Sequence, residues 1–268
     1  MAISTSTSLS TSTSDLVRGA AVLLTAITQV VSSPVTTALL GPSSNTGAIS
    51  DANTSPVTPA GYAFAIWGLI YLGSLALGVY QLLPSQRGRE IHRRTGWWLV
   101  AAFLASTVWV PIFGSRTIWL SQVVIVLLVA CLAVATIRLT RLGPAEDTAE
   151  RLLLRLPVTL YLGWATLATF AGLGVTLRSF GMPERATWVT ILSVVLVLVA
   201  AAVSAVVVSR ETAAAGFAVA SCWALAAVSV ATYEPAVRVA ALLALTLVVV
   251  ALVVRTLRSG RGAVVLFG

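Results

Sequence analysis

Residues 186–209 read ATWVTILSVVLVLVAAAVSAVVVS, a run of 24 residues without a charged side chain. A helix needs about 20 consecutive apolar residues to cross the hydrocarbon core of a bilayer, where it satisfies its own backbone hydrogen bonds. Valine- and alanine-rich runs also occur in buried strands, but the length of this run and its lack of alternating polar residues favour a helix. The run therefore predicts a transmembrane helix.

Seven other stretches share this character, and almost every charge falls in the short gaps between them. Only 10% of the 268 residues are charged, against about 25% in soluble domains, and the mean hydropathy is +0.96. We predict an all-α fold, a polytopic membrane helix bundle with about eight transmembrane helices. The predicted spans are 20–40, 60–83, 97–113, 117–137, 156–177, 186–209, 212–233 and 239–254. The third span is short, and little tilt or a locally thin bilayer would accommodate it.

The distribution of arginine predicts the topology. All 17 basic residues are arginines, and with the N-terminus inside the cell 13 of them fall in inside segments and 4 in outside segments. Because loops on the cytoplasmic side are enriched in Arg and Lys, this division predicts a multi-pass protein of the cell inner (plasma) membrane with cytoplasmic N- and C-termini. The net charge of +8 is then explained by contacts with anionic lipid headgroups, and no nucleic acid is expected as a partner.

The predicted spans contain no Asp, Glu, Lys, Arg or His. Ionisable groups inside a membrane usually mark proton relays or ion paths, and acid–base or metal chemistry also depends on them. The single histidine, His92, lies among arginines of an inside loop, where we expect it to contact solvent or lipid headgroups. Cys131 and Cys222 fall within spans and are expected to be small packing residues. We therefore predict that the chain is not an enzyme and has neither catalytic residues nor a metal site.

The gap between the first two spans, residues 41–59, is the longest outside loop. It is rich in Gly, Pro, Ser and Asn, which favour turns, and Asp51 is its only charge. A long, nearly uncharged loop above the outer ends of helices has two interpretations. It is either a lid or a plain solvated connector.

Three of the eight tryptophans have the positions of interface residues. Trp97 and Trp98 begin the third predicted helix, and Trp188 begins the sixth. Tryptophan is enriched at membrane surfaces because its ring is apolar while its N–H needs a polar partner. We interpret these three as belt residues.

Other aromatic residues lie inside the spans and favour a second interpretation. With the predicted topology they converge on the outer half of the first five helices; they are Trp67, Tyr71, Trp109, Trp119, Tyr161 and Trp164. An uncharged cleft with aromatic walls suits a flat, apolar ligand. The alternative is ordinary helix packing.

Three segments share an order and spacing that resemble one known family. They are residues 58–71 (TPAGYAFAIWGLIY), Trp109 with residues 111–114 (PIFG), and residues 160–169 (LYLGWATLAT). Together they resemble the TspO/translocator (TspO/MBR) family, also called tryptophan-rich sensory proteins, in which a Pro-rich turn precedes a Phe and a Trp-x-x-x-Tyr pair. The resemblance covers about residues 18–177, and the last three helices resemble those of the longer bacterial relatives with extra C-terminal helices. The sequence departs from the family where that family has a loop Trp and two Asn, at Val57, Ser106 and Gly172.

Composition and resemblance together predict four parts of the chain. Residues 1–17 form a disordered Ser/Thr-rich tail, and residues 18–177 form a TspO-like five-helix membrane unit. Residues 178–257 form three additional transmembrane helices, and residues 258–268 form a short basic cytoplasmic tail.

The resemblance implies that the five-helix unit binds porphyrins and related tetrapyrroles, and sometimes sterols, in an aromatic pocket beneath the first loop. A sensory or trafficking role is expected. No cofactor is predicted other than a tetrapyrrole as ligand, and the expected partners are membrane lipid, a small hydrophobic ligand and a second copy in a homodimer. Combining the resemblance with the aromatic convergence, we predict as ligand-binding residues Trp67, Tyr71, Trp109, Tyr161, Trp164, Trp119 and Pro59, the last of which fixes the chain as it enters the second helix.

Two other functions are considered. The first is a transporter for a small uncharged or amphipathic molecule, suggested by Pro34, Pro111 and Pro157, which would break helices along a path. The second is a membrane scaffold or partner subunit, in which the small residues 213–216 (AAAG) allow close approach to another protein. Ligand flux into proteoliposomes and co-purification of a stoichiometric partner distinguish these functions from binding alone.

Overall fold

The structure is a computed structural model that describes residues 12–268, in which all regular structure is helical. In chain order the α-helices are α1 (Thr13–Leu40), α2 (Thr46–Ala52), α3 (Ile66–Leu82), α4 (Glu90–Gly114), α5 (Ile118–Arg141), α6 (Thr148–Glu150), α7 (Leu156–Ser179), α8 (Thr187–Arg210), α9 (Ala214–Ala231), α10 (Pro235–Ser259) and α11 (Gly262–Phe267). Short 3-10 helices at Pro42–Ser44 and Gly61–Ala65 precede α2 and α3, and a π-helix at Arg151–Arg155 joins α6 to α7. Within the described residues, eight helical segments are long and apolar enough to cross a bilayer. The predicted all-α polytopic bundle is therefore confirmed.

The first membrane helix begins earlier than the sequence predicts. α1 starts at Thr13, whereas the predicted span starts at residue 20 and the predicted tail extends to residue 17. A capping box explains the difference, because the Ser12 hydroxyl accepts from the backbone N–H of Asp15 and the Asp15 carboxylate accepts from the backbone N–H of Ser12. These bonds satisfy N–H groups that have no partner within the helix. The rest of the predicted tail, residues 1–11, lies outside the described residues.

The helix α4 is longer than its predicted span, 97–113, because its first two turns carry charges. It has 25 residues, which is enough to cross a bilayer without thinning it. In these turns Arg93 pairs with Asp15 of α1 at 2.6 Å, and Arg94 pairs with Glu90 at 2.6 Å. The prediction stopped at the charges, whereas the helix continues through them because each charge finds a partner.

The prolines do not break the long helices. Pro34 lies inside α1 and Pro111 inside α4, and both helices continue past them, while Pro157 occupies the first turn of α7. The π-helix Arg151–Arg155 runs directly into α7, so the helical segment Thr148–Ser179 is continuous through Pro157. The broken helices that suggested the transporter are therefore not formed at these positions.

The helix α7 is the centre of the bundle and the most buried of the eight membrane segments. It packs against α5 and α9, while α1 packs against α3 and α4, and α10 packs against α8 and α9. The contact between α7 and α9 depends on two glycines. A Cβ atom added to Gly163 would lie 2.6 Å from the carbonyl oxygen of Phe217, and one added to Gly216 would lie 2.6 Å from that of Leu156. Gly216, one of the small residues considered for docking a partner protein, thus packs against α7 of its own chain.

The charged segments meet at one end of the bundle, which we call the arginine-rich end. Arg18 of α1 donates to the carbonyl oxygen of Arg87 at 2.6 Å, and Arg89 pairs with Glu150 at 2.6 Å. Farther along the chain, the guanidinium of Arg255 donates to the carbonyl oxygens of residues 208 and 211. These contacts join segments that the arginine distribution assigns to one side of the membrane.

The opposite end, called the loop end, consists of residues 41–60, 115–117, 180–186 and 232–234. Its segments contact one another and the neighbouring end of α9. The Tyr233 hydroxyl donates to the carbonyl oxygen of Glu184 at 2.8 Å, and the backbone N–H of Ala60 donates to the carbonyl oxygen of Ala227 at 3.2 Å. The loop end carries fewer charges than the arginine-rich end; they are Asp51, Arg116, Glu184, Arg185 and Glu234.

The C-terminal residues fold back on the bundle. The predicted tail, 258–268, includes α11, which packs against α9. Val265 of α11 is buried, and the final residue, Gly268, lies against the side chain of Arg155. An apolar face on this short helix explains why it packs rather than extends into solvent.

The environment of His92 differs from the prediction. Its side chain is fully buried near the arginine-rich end, where its ring packs edge-to-face against Tyr80 with 5.6 Å between centroids. The expected contact with solvent or headgroups is wrong because α4 begins before His92 and turns this side chain toward α3.

Candidate functional site

Five of the predicted ligand-binding residues form one aromatic cluster around Trp67 of α3. The Trp67 ring lies 5.6 Å from Tyr71, 5.7 Å from Trp109, 5.9 Å from Tyr161 and 6.0 Å from Trp164, measured between ring centroids. Helical spacing explains the pairs, since residues 67 and 71 are four apart on α3 and residues 161 and 164 are three apart on α7. The rings therefore come from three helices, α3, α4 and α7, that the resemblance placed in one unit.

Phenylalanines extend the cluster in two directions. Phe113 stacks on Trp109 at 5.1 Å, and Phe64 packs edge-to-face against Trp164 at 6.2 Å. Each such pair contributes about 0.5–1.5 kcal/mol beyond its buried area. The stacked rings thus stabilise the arrangement of α3, α4 and α7 as well as shaping a surface.

A cavity borders this cluster at the loop end, and we call it the aromatic cavity. Its aromatic walls are Phe64, Trp67, Trp109, Phe113 and Trp164. The centres of water-sized molecules can move through about 70 Å³ of it, whereas the whole crevice between the surrounding atoms, with its open mouth, measures about 820 Å³. Ligand pockets typically measure about 300–1,000 Å³, so the accessible space is small by comparison. The aromatic rings of the cluster pack against one another and leave little room between them.

The cavity is almost entirely apolar. No charged side chain of the described residues lines it, and one indole donor, Nε1 of Trp164, is buried without a hydrogen-bond partner. An unsatisfied buried donor costs about 1–3 kcal/mol, which an acceptor on a ligand would recover. Gln122 of α5 also lines the cavity, and its side-chain amide donates to the carbonyl oxygen of Thr169 at 2.9 Å. The position thus suits an uncharged molecule that carries an acceptor.

The segment that links α1 to α3 covers the cavity. Ser50, Val57 and Pro59 line it, and Ser55, Val57 and Thr58 are buried. The Val57 side chain packs so closely on α7 that a Cβ atom on Gly174 would lie 2.7 Å from it. A plain solvated connector is therefore wrong for residues 41–59, and the position is that of a lid.

Two predicted tyrosines contact the cluster without lining the cavity. Tyr71 and Tyr161 pack against Trp67 on the side away from the cavity, deeper in the bundle. The Tyr161 hydroxyl donates to Oε1 of Gln29 at 3.2 Å, and both side chains are fully buried. The two tyrosines therefore hold Trp67 in place from the interior of the bundle. The ring surfaces that pack on Trp67 are unavailable to a ligand.

Trp119 does not belong to the cluster. Its side chain is 53% exposed on the outer surface of α5, whereas Ile118 and Ser121 face the interior. The prediction that it lines the pocket is wrong because one residue of helical rotation turns its side chain toward lipid. Of the predicted set, Pro59, Trp67, Trp109 and Trp164 line the cavity, and their ligand contacts remain predictions.

Sequence reasoning missed residues on α9. Trp223 contacts the entrance to α3, because its Nε1 donates to the carbonyl oxygen of Ala63 at 3.0 Å and its ring packs edge-to-face on Tyr62 at 5.4 Å. The resemblance ended at residue 177, so this tryptophan had no expected partner. Its polar N–H within an apolar span was the one signal present, since an indole N–H away from water usually finds an acceptor; the side chain itself is 39% exposed.

The arginine-rich end holds a second crevice, lined by ion pairs. Arg155 and Glu150 are both buried and lie 2.7 Å apart. Burial opposes the charge of Arg89, yet hydrogen bonds from its guanidinium to Glu150 and Glu146 raise the pKa of Arg89 above its ordinary value. The guanidinium groups of Arg89 and Arg155 are thus paired with the carboxylates of Glu146 and Glu150. Within residues 12–268 no group of three His, Cys, Asp or Glu side chains is placed to hold a metal ion.

Comparison with known proteins identifies one match. A family model described as TSPO-like protein matches residues 19–254, a range that extends from α1 into α10. No curated protein and no solved structure matches the chain significantly. The matched range includes all three segments that carry the resemblance.

Proposed function

This chain belongs to the TSPO-like family and is a multi-pass integral membrane protein, and from that premise we propose that it binds a hydrophobic, planar ligand in the aromatic cavity. Tetrapyrroles are the ligand class to test first. The proposed role is to sense or traffic this ligand. The transporter was suggested by broken helices, but the helices continue past all three prolines. The scaffold was suggested by small residues free to contact another protein, but Gly216 packs against α7 of the same chain.

The observation that carries the proposal is a ring-lined cavity with an unpartnered indole N–H. Trp67, Trp109 and Trp164 present ring faces or edges to the cavity, and Nε1 of Trp164 lacks an acceptor. Ring faces supply affinity for a flat molecule through buried area, and the N–H supplies one directional contact.

The chemistry of the walls limits the ligand. A carboxylate inside the cavity would lack a counter-charge, and burial of an unpaired charge is strongly unfavourable. Carboxylates of a porphyrin must therefore lie at the mouth, beside Thr46 and Ser50 of α2. An uncharged porphyrin diester should bind at least as tightly as the free diacid.

Binding requires the rings to separate. The accessible space of about 70 Å³ is well below the roughly 300–1,000 Å³ of typical ligand pockets and cannot hold a macrocycle, so the surrounding side chains must move apart. The stacking between Trp67 and Trp109 is the contact that a ligand would replace with its own ring faces. The lid segment, residues 41–59, must move with them.

We propose that the arginine-rich end faces the cytoplasm and that the membrane is the plasma membrane. Of the 17 arginines, 13 lie in segments assigned to the inside. The aromatic cavity would then open toward the outer leaflet or the outside.

Titration of the protein in lipid nanodiscs with a porphyrin tests the proposal. Binding is followed by the shift of the porphyrin absorption band, and quenching of tryptophan fluorescence provides a second signal. We expect Trp67→Ala to weaken binding by more than about tenfold because it removes the central ring. Trp164→Phe keeps a ring but removes the N–H, so a loss of about 2- to 10-fold is expected when the ligand carries an acceptor.

The matched control is Trp188→Phe, because the Trp188 side chain lies on the outer surface of α8 and is 52% exposed. Its affinity should equal that of the unmodified protein. Equal affinity in Trp67→Ala, or in a Trp67→Ala, Trp164→Ala double variant, would remove the aromatic cavity as the binding site. Failure of the unmodified protein to bind either the diacid or the diester would remove the proposed ligand class.

A further inference from the structure

Two of the last three membrane helices, α8 and α9, contribute a wall of the aromatic cavity. Six of their residues line it: Leu196, Val197 and Ala200 of α8, and Ala224, Leu225 and Val228 of α9. All six are buried, and their spacing of one, three and four residues puts them on one face of each helix. The sequence had placed these helices beyond the ligand-binding unit.

This wall is held in a fixed position relative to the tryptophans. Gly163 lies one residue before Trp164 on α7, and a Cβ atom there would lie 2.6 Å from the carbonyl oxygen of Phe217 on α9. Backbones that approach so closely leave little freedom for relative motion. The distance between the indole of Trp164 and the aliphatic face of α9 is therefore set by the backbone.

The helix α9 also holds the segment that carries Phe64 into the cavity. Two hydrogen bonds join them, from Trp223 Nε1 to the carbonyl oxygen of Ala63 at 3.0 Å and from the backbone N–H of Ala60 to the carbonyl oxygen of Ala227 at 3.2 Å. Pro59 and Phe64, on either side of these bonds, both line the cavity. Movement of this segment away from α9 must break both bonds.

We propose that α8 and α9 are part of the ligand site, a proposal that rests on the proposed function. The small side chains of Ala200 and Ala224 set the size of ligand that fits, and Trp223 is a positioning residue that holds residues 60–65 closed over the cavity. The α8–α9 wall offers aliphatic carbon and no polar side chain. The ligand therefore has one alkyl-substituted edge facing α8 and α9.

Substitution in the wall tests the size argument on the full chain in nanodiscs, with a porphyrin diester as the probe. Ala200→Leu adds an isopropyl group to a cavity with about 70 Å³ of free space. Even one methylene in an apolar pocket changes affinity by about 10- to 200-fold, so a loss of at least tenfold is expected. The matched control is Ala202→Leu, two residues away on the exposed face of the same helix, which should bind as the unmodified protein does.

Where Ala200→Leu does not fold, Leu196→Ala provides the opposite change. This substitution removes side-chain volume from the wall and enlarges the cavity, so the protein should prefer a porphyrin diester with bulkier ring substituents. Equal affinities for Ala200→Leu and Ala202→Leu, or an unchanged preference in Leu196→Ala, would overturn the role of the wall while the unmodified protein still binds. Absence of binding by the unmodified protein would instead refute the proposed function.

Trp223→Phe tests the positioning role. It keeps an aromatic ring beside Tyr62 but removes the hydrogen bond to Ala63. We expect the bound porphyrin to dissociate several-fold faster, while the thermal unfolding temperature equals that of the Trp188→Phe control. A purely structural role would lower the unfolding temperature and leave the dissociation rate of the folded fraction unchanged. That result, or an unchanged rate at unchanged stability, would overturn the assignment of Trp223.

Discussion

Replacing Gly216 by alanine measures how closely α7 and α9 approach. The added Cβ would lie 2.6 Å from the carbonyl oxygen of Leu156 and 2.8 Å from the backbone nitrogen of Leu160, whereas ordinary contact begins at 3.4 Å. Rotation of the Thr159 side chain would relieve its own overlap, in which Oγ1 lies 2.5 Å from the added Cβ, but the other two neighbours are backbone atoms that no side-chain rotation moves. The helices must separate by about 0.8 Å, the difference between 3.4 and 2.6 Å. Overpacking of this kind typically costs about 1–3 kcal/mol.

The matched control is Gly68→Ala. Gly68 is the third residue of α3, as Gly216 is the third of α9, but a Cβ atom there would meet nothing within 4 Å. Both substitutions gain the same helix propensity, which favours Ala over Gly by about 0.5–1 kcal/mol. The difference between the two variants therefore isolates the cost of separating α7 from α9.

A second substitution on the facing helix sharpens the test. Gly163→Ala should be destabilising for the same reason, since its Cβ would lie 2.6 Å from the carbonyl oxygen of Phe217. One displacement relieves both overlaps, so the Gly163→Ala, Gly216→Ala double variant should lose less than the sum of the single losses. Unfolding in mixed micelles by added sodium dodecyl sulfate, followed by circular dichroism, gives the free energies. Equal midpoints for Gly216→Ala and Gly68→Ala would refute the close approach of the two backbones.

Two further predictions concern the charged end and the topology. Glu150→Gln leaves Arg155 buried without its carboxylate partner and should lower the free energy of unfolding by about 3–5 kcal/mol in the same assay. Glu90→Gln removes only an exposed ion pair and should lower it by about 0.3–0.5 kcal/mol. Similar losses for the two variants would contradict the burial of the Glu150–Arg155 pair. The topology is tested in a variant without native cysteines, by applying a membrane-impermeant maleimide to intact cells. The reagent should label Asp51→Cys and should not label Arg141→Cys, since both positions are exposed but lie at opposite ends of the bundle. The reverse pattern would invert the proposed orientation.

The eight spans could be predicted because the bilayer sets their length and the arginines mark their ends. The predicted sixth span, 186–209, differs from α8 by one residue at each end. Errors arose at Thr13 and Glu90, where a helix continues through charged residues. The Ser12 capping box and the Glu90–Arg94 pair are local, so their signals were present in the sequence. The partner of Arg93 is Asp15 on another helix, and such a distant partner has no signature in a local window.

The site was harder to predict, for a reason specific to membranes. Lipid and protein interior are both apolar, so hydrophobic periodicity does not distinguish an inward face from an outward face. Trp109 and Trp119 carry the same kind of side chain near the same surface, yet the first lines the cavity and the second faces lipid. The wall from α8 and α9 left no pattern either, since Val, Leu and Ala cover every side of α8. Gly163 and Gly216 were the residues with a readable signal, because small residues mark close helix contacts in membranes.

The covalent link between α7 and α8 has a thermodynamic consequence. A cavity completed by a separate subunit loses that wall on dilution in the bilayer, because association depends on concentration. Here the connection 180–186 tethers the wall to its neighbour and supplies it at a high effective concentration. Ligand affinity should accordingly be independent of the protein-to-lipid ratio, and one macrocycle should bind per polypeptide however sparsely the molecules are distributed.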